Sequence, residues 1–171
     1  ARDRHGDVRI LANDPINGVG ERQYAALDAL VASGLVDVVG VNYYPHTART
    51  TLSKVLLKTA RRYRMPILVS ETSWHDGHPV HERRYPGWNK RLWLEYVLAE
   101  VTLARERGAD VVGVCWYPIV DCPPWPHPRS RKRWRHGLIR EDLSLDPSLG
   151  EALRVGVSPS GQLGFDFQLA G

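Results

Sequence analysis

The sequence predicts an α/β fold built on a parallel sheet, and three observations carry that expectation. Four short runs rich in β-branched residues recur along the chain. Segments of helical periodicity separate them, and polar and aromatic residues gather where each run ends. The strand candidates are Val8–Leu11, Val36–Asn42, Pro66–Ser70 and Asp110–Trp116. The second and fourth, with cores Val36-Asp37-Val38-Val39-Gly40-Val41 and Val111-Val112-Gly113-Val114-Cys115, are nearly all apolar. Strands covered by helices on both faces look like this.

The helical segments follow in order. Tyr24, Leu27, Leu30 and Val31 share one face of the first, which stops at Ser33-Gly34. Leu52, Val55, Leu56, Ala60 and Tyr63 form the stripe of the second, which ends before Met65-Pro66. Trp93, Val97, Val101 and Ala104 form the third, closed by Gly108. Right-handed crossovers would bring all the strand C-termini to one face. That face would carry Asn13-Asp14-Pro15, Asn42-Tyr43-Tyr44-Pro45-His46, Glu71-Thr72-Ser73-Trp74-His75, and Trp116-Tyr117-Pro118 followed by Asp121 and Trp125. Ligand sites of α/β proteins lie there. Aromatic faces suit the apolar faces of a sugar ring, and Asn, Asp, Glu and His suit its hydroxyls. A carbohydrate site is the expectation.

Composition narrows the class. The chain has 171 residues, six Trp, seven Tyr and a net charge of +4. Much of the basic charge sits in Arg129-Ser130-Arg131-Lys132-Arg133-Trp134-Arg135, which reads as a solvated loop. Nucleic acid is disfavoured as a partner because no recognition motif surrounds that run. No run approaches the ~20 apolar residues of a membrane span. The first residues lack a secretory pattern and an initiator Met, which fits a processed product or a piece of a longer chain. Cys115 and Cys122 make no disulfide framework and read as free thiols of a cytoplasmic protein. His75, His78 and His81 have a metal-like spacing of three, but Asp76-Gly77 and Pro79 should break any helix aligning them. A loop at the rim of the site is expected instead, and neither metal nor cofactor.

Three strand ends resemble retaining β-glycosidases of the large (β/α)₈ hydrolase clan, family 1 β-glucosidases among them. Val39-Gly40-Val41-Asn42-Tyr43-Tyr44 is similar to the end of that family's sixth strand. Val69-Ser70-Glu71-Thr72 resembles the seventh, whose Glu is the nucleophile, and Val114-Cys115-Trp116 the eighth, whose Trp floors the sugar site. Arg135-His136-Gly137-Leu138-Ile139 resembles the segment that closes such barrels, and Cys115–Ile119 a pattern in glycosidase-like bacterial proteins. The resemblance spans residues 8–155. It implies a (β/α)₈ TIM-barrel fold of which residues 1–154 supply strands five to eight, a half-barrel. A whole barrel needs about 250 residues. The tail 155–171, with its Gly and Ser, is expected to be a linker or disordered.

The resemblance also implies roles. Glu71 would be the nucleophile, Tyr44 would hydrogen-bond it, Asn42 would meet a sugar hydroxyl, and Trp116 would stack beneath the ring. The Trp116–Tyr117 peptide would be cis, as in that family. Asp121 and Trp125 loosely match an acidic residue and second Trp lining the site, while His46 and His75 would touch substrate from its rim. Asn13-Asp14 resembles the Asn-Glu pair that ends strand four. Only one strand separates it from Glu71 where two are required, so it is assigned to strand five, with Asp14 as a substrate contact. The general acid would then lie upstream of Ala1, and the partner would be an N-terminal half-barrel or a second copy. Plainer readings stand beside these: Glu71 as an ion-pair partner of an Arg, Asn42 and Tyr44 as capping or core groups, Trp116 as core, and Asp14 as a turn residue before Pro15. The rival functions are a non-catalytic carbohydrate-binding domain, or another enzyme such as a lyase or transglycosidase on the same scaffold.

Overall fold

The computed structural model describes residues 11–13, 21–124, 126–149, 153–157 and 163–167. The elements are β1 (Leu11–Asn13), α1 (Glu21–Ala32), β2 (Val38–Asn42), α2 (Leu52–Tyr63) and β3 (Ile67–Thr72), followed by α3 (Pro79–Arg84), α4 (Lys90–Glu106), β4 (Val111–Trp116), β5 (Leu153–Val157) and β6 (Leu163–Phe167). Strands β1–β4 form one sheet in chain order, and every neighbouring pair is parallel. Among the described residues, no helix is long and apolar enough to cross a membrane. The chain divides into two compact units, residues 1–72 with 96–116, and residues 73–95 with 117–171.

The first unit holds the parallel sheet. β2 is buried as its apolar sequence requires, with Val39 and Val41 fully so. α2 turns Leu52, Val55, Leu56 and Tyr63 inward, and it ends at Arg64, whose φ of 51° lies in the left-handed region. Pro66 forbids a helical Met65, so the chain must leave the helix there. On α1, Tyr24 and Leu27 are buried and Val31 packs beside Leu27, but Leu30 is exposed. At 100° per residue, Leu30 stands about 100° from Val31 and falls off the stripe. The fourth strand departs from its expected cover. Val112 is 49% exposed and Cys115 is also exposed, because β4 ends the strand order and pairs only with β3 among the described residues.

The second unit is organised around a buried cation. Lys90 is fully buried, with Nζ 2.7 Å from Asp146 Oδ2 and 3.5 Å from Asp76 Oδ2. Trp93, Leu94, Leu138 and Leu149 supply apolar burial, and Trp74 packs against Trp93, Tyr85 and His81 at ring separations of 6.2, 6.3 and 4.9 Å. Part of the expected tail is extended: β5 and β6 pair antiparallel from Leu153↔Phe167 to Val157↔Leu163. Their sequences, Leu-Arg-Val-Gly-Val and Leu-Gly-Phe-Asp-Phe, alternate apolar residues with others. That is the period of a strand, and the linker-like Gly and Ser obscure it.

The two carboxylates around Lys90 differ in sign. Burial pushes Asp146 up, but hydrogen bonds from Lys90, the Ser148 hydroxyl and the Ser148 N–H outweigh it and hold the carboxyl below its ordinary range. For Asp76 burial dominates the attraction of Lys90, and the carboxyl is pushed up. Asp146 therefore adds stability above the unfolded carboxylate pKa of about 3.9, which is lost as pH falls through its lowered value. Asp76 adds the opposite slope, costing stability as pH rises through its raised value. Urea denaturation at pH 7 will show Asp146→Asn destabilised by about 1–3 kcal/mol, because buried Lys90 loses the nearer of its two carboxylates and keeps only Asp76. Asp76→Asn will be neutral or stabilised, and the Asp146→Asn deficit will shrink toward pH 3. Equal losses from both variants would contradict this assignment.

Candidate active site

The sheet places a carboxylate and an amide side by side. Asn42 and Glu71 are register partners at the ends of β2 and β3, and the ladder continues through Tyr43 N–H donating to Glu71 O at 2.8 Å. Both strands shift register here, between Gly40 and Asn42 on β2 and between Val69 and Thr72 on β3. The inside–outside alternation of β3 fails at the same point, leaving Ser70 and Glu71 both half-buried. A bulge re-aims side chains in this way.

Neighbouring groups fix the orientation of these side chains. Tyr44 hydroxyl donates to Glu71 Oε2 at 2.8 Å. Glu71 has no ion pair among the described residues, and its second oxygen, Oε1, has no hydrogen-bond partner there. The Arg-paired reading of Glu71 therefore fails among those residues. Ser70 hydroxyl donates to Asn42 Oδ1 at 2.8 Å and sets the amide plane. Between them Tyr43 points the other way, into the interior, at 1% exposure. Its hydroxyl donates to Thr50 O at 2.7 Å and accepts from Tyr96, which accepts in turn from Leu52 N–H. Burial pushes the Tyr96 phenol up, so it stays a donor. Anchored Tyr43 holds Asn42 and Tyr44 at the strand end.

His46, exposed, stacks on Tyr44 with ring centroids 5.4 Å apart. Trp116 ends β4 as the register partner of Thr72 and is half-buried, so it is not plain core. The structure thus brings Asn42, Tyr44, His46, Glu71 and Trp116 together on one sheet edge of the first unit. Asp14 and Trp125 lie outside the described residues.

His75 and Asp121 belong to the second unit. His75 stacks on His136 at 4.4 Å, and His136 Nδ1 is 3.0 Å from the Ser73 hydroxyl. The stretch expected to be all loop contains α3. Pro79 does not break it but opens it, since the missing N–H of proline is unused in a first turn. His78 caps this helix by accepting from Val80 N–H on Nδ1, and His81 Nδ1 accepts from His75 N–H. Each neutral ring therefore carries its proton on Nε2, and a cation there would have to displace it. His81 is buried at 1% exposure, against the expectation of a solvated rim.

Asp121 Oδ1 accepts from Gly137 N–H at 2.8 Å, which makes it a fastener of the chain-closing segment. It also lines a charged cavity of about 330 Å³ with Arg133, Arg135, Arg140, Glu141 and Asp142. The basic run is exposed apart from Ser130 and Trp134, and Arg133 pairs with Glu141. The cis peptide is Tyr117–Pro118 and not Trp116–Tyr117. A tertiary amide before proline lowers the cost of the cis form, which a Trp–Tyr bond cannot do. Tyr43, expected on the ligand face, is buried instead, and the sequence suggests no role for Ser70 or Tyr96: Ser70 is flagged only by preceding Glu71, and Tyr96 carries no signal because it sits 53 residues from Tyr43.

Parallel strands in chain order with helices between them, and polar residues at their C-terminal ends, are consistent with part of an α/β barrel. No family model matches the sequence, and neither does any curated protein. Solved structures do match, and TIM-barrel glycosidases are among them. A hyperthermophilic β-glucosidase mutant that forms a dodecamer in its crystal is similar at a TM-score of 0.60 and 20% identity, over 82% of this chain and 41% of its own. The β-glucosidase of Pyrococcus furiosus is similar at 0.58 and 19%, over 82% and 39%. The GH53 catalytic domain of Ignisphaera aggregans is similar at 0.58 and 19%, over 86% and 47%. The chain spans less than half the length of each.

A Cβ on Gly137 would collide with Asp121 N, and it would stand 2.6 Å from Ile139 O and 2.7 Å from Val120 C, all backbone atoms. Gly137→Ala must therefore shift the segment that Asp121 fastens. Thermal unfolding will show a loss of about 1–3 kcal/mol, the usual cost of overpacking. A change within experimental error would mean that the segment is not held there.

Proposed function

We propose that this chain carries the nucleophile half of a retaining β-glycosidase-like site acting on a glycoside or oligosaccharide. The observation that supports it most is the 2.8 Å hydrogen bond from Tyr44 to Glu71 at the C-terminal end of β3, beside Asn42. Glu71 Oε2 is tied to the phenol, which leaves Oε1 to attack the anomeric carbon. In that step a C–O bond forms to Glu71 while the bond to the leaving oxygen breaks, giving a glycosyl-enzyme that water later hydrolyses. A proton donor must stand about 5–5.5 Å from Glu71 in a retaining enzyme. We assign that donor to the remainder of a barrel in which residues 1–154 provide strands five to eight. An N-terminal half-barrel, or a second copy of the chain, would be the partner. Trp116 would floor the sugar, and Asn42 would bind a hydroxyl. His46, His75, Asp14, Asp121 and Trp125 are further contacts proposed for substrate. Kinship to family 1 in particular, and a cytoplasmic location, belong to this proposal.

A glycoside with a 2-fluoro substituent and a dinitrophenolate leaving group tests the reading, because the phenolate departs without a proton donor. Intact mass will show one sugar adduct, mapped to Glu71 and absent from Glu71→Gln. Tyr44→Phe will slow its formation by about tenfold to a hundredfold, as misplacement of a reacting group does. If the folded chain forms no adduct, yet binds sugar in a manner lost with Trp116→Ala and kept with Glu71→Gln, it is a carbohydrate-binding domain and the proposal fails.

A further inference from the structure

On the first unit, α1 and α2 enclose a second cavity, of about 350 Å³, lined by Tyr24, Thr50, Lys54, Val55, Lys58, Thr59 and Arg61. Tyr24, Val55 and Thr59 form a buried floor, at 8%, 6% and 2% exposure. The charged rim is all cationic. α2 contains no acidic residue, and Lys54, Lys58 and Arg61 recur at intervals of four and three, so they share a face. Like charges at these spacings repel. Among the described residues Lys54 and Arg61 have no ion-pair partner, and no carboxylate lines the cavity. The nearby Arg62 differs, being paired with Asp28 at 2.6 and 2.9 Å.

The remaining polar groups are donors. Lys58 Nζ lies 3.4 Å from Tyr24 Oη and donates to it, which turns the phenol hydrogen toward another acceptor. Thr50 adds a hydroxyl. An acid-free cavity of this size, with three cations over hydroxyl donors, is complementary to an oxyanion with several oxygens. The Tyr24 ring distinguishes a small ligand from a nucleic acid. It is buried in the floor at 8% exposure, with Arg62 and Lys58 at 4.6 and 5.0 Å from its centre, so it offers no open platform on which a base can stack. We propose that this cavity binds a small phosphorylated molecule bearing at least two negative charges, held by Lys54, Lys58 and Arg61.

Inorganic pyrophosphate is the probe, titrated calorimetrically into the full 171-residue chain at low ionic strength. The inference predicts one site and a rise in Tm with pyrophosphate. It also predicts affinity weaker by on the order of tenfold or more in Lys54→Gln/Lys58→Gln, and unchanged affinity in Lys132→Gln. Without pyrophosphate the double variant will be at least as stable as the parent, since it removes repulsion. If it nonetheless fails to fold, Arg61→Gln takes its place with the same loss expected. Absence of binding, or equal affinity in parent and variants, overturns the proposal. So does a single-stranded oligonucleotide that binds while pyrophosphate does not, which would mark a nucleic-acid surface.

Discussion

The pairing of β2 with β3 is the constraint on which the candidate site depends. A parallel ladder fixes the axial position of each residue relative to its neighbour, and here it sets Asn42 opposite Glu71 with Tyr43 N–H bonded to Glu71 O. A one-residue slip would turn every side chain of the strand over. The slip is opposed by Val39, Val41, Ile67 and Val69, which are all fully buried. Apolar burial along the strands thus specifies the placement of a charge at their ends. The register shifts then rotate Glu71 out of strict alternation, where Tyr44 reaches it.

Polar groups do different work in the two units. Around Glu71 the hydrogen bonds are few and, among the described residues, leave one oxygen of the carboxylate unengaged. Around Lys90 they are denser: the ammonium meets two carboxylates, and Asp146 receives further bonds from Ser148. A buried charge survives only with such partners. Lys90 therefore reads as an anchor for its own unit and not as a reagent.

Apolar rhythm carried most of the fold in the sequence. The stripe Leu52, Val55, Leu56, Ala60 and Tyr63 spans the whole of α2, and Trp93, Val97, Val101 and Ala104 are all buried on α4. Strand ends marked the candidate site, since Asn42 and Trp116 each close a strand and Glu71 is the penultimate residue of β3. What periodicity could not show is what depends on neighbours distant in the chain. Val112 is as apolar as Val39, yet among the described residues only the latter lies on a strand with partners on both sides. His81 looked like its solvated neighbours until a six-residue helix, opened by Pro79, carried it inward. Asp121 also fastens the chain through its bond from Gly137 N–H, a partner 16 residues away that no local pattern announces. The Tyr43–Tyr96 contact joins residues whose spacing has no local signature.

If Tyr44 orients the Glu71 carboxylate toward positive charge on a ligand, the two side chains must be energetically coupled in binding a cation. A double-mutant cycle on the binding of a cationic iminosugar tests it most directly, using the parent chain, Tyr44→Phe, Glu71→Gln and the double variant. The account predicts that Tyr44→Phe weakens binding only while Glu71 is present, giving a coupling of about 0.5–3 kcal/mol. Additive losses, or affinity indifferent to Glu71→Gln, would contradict it.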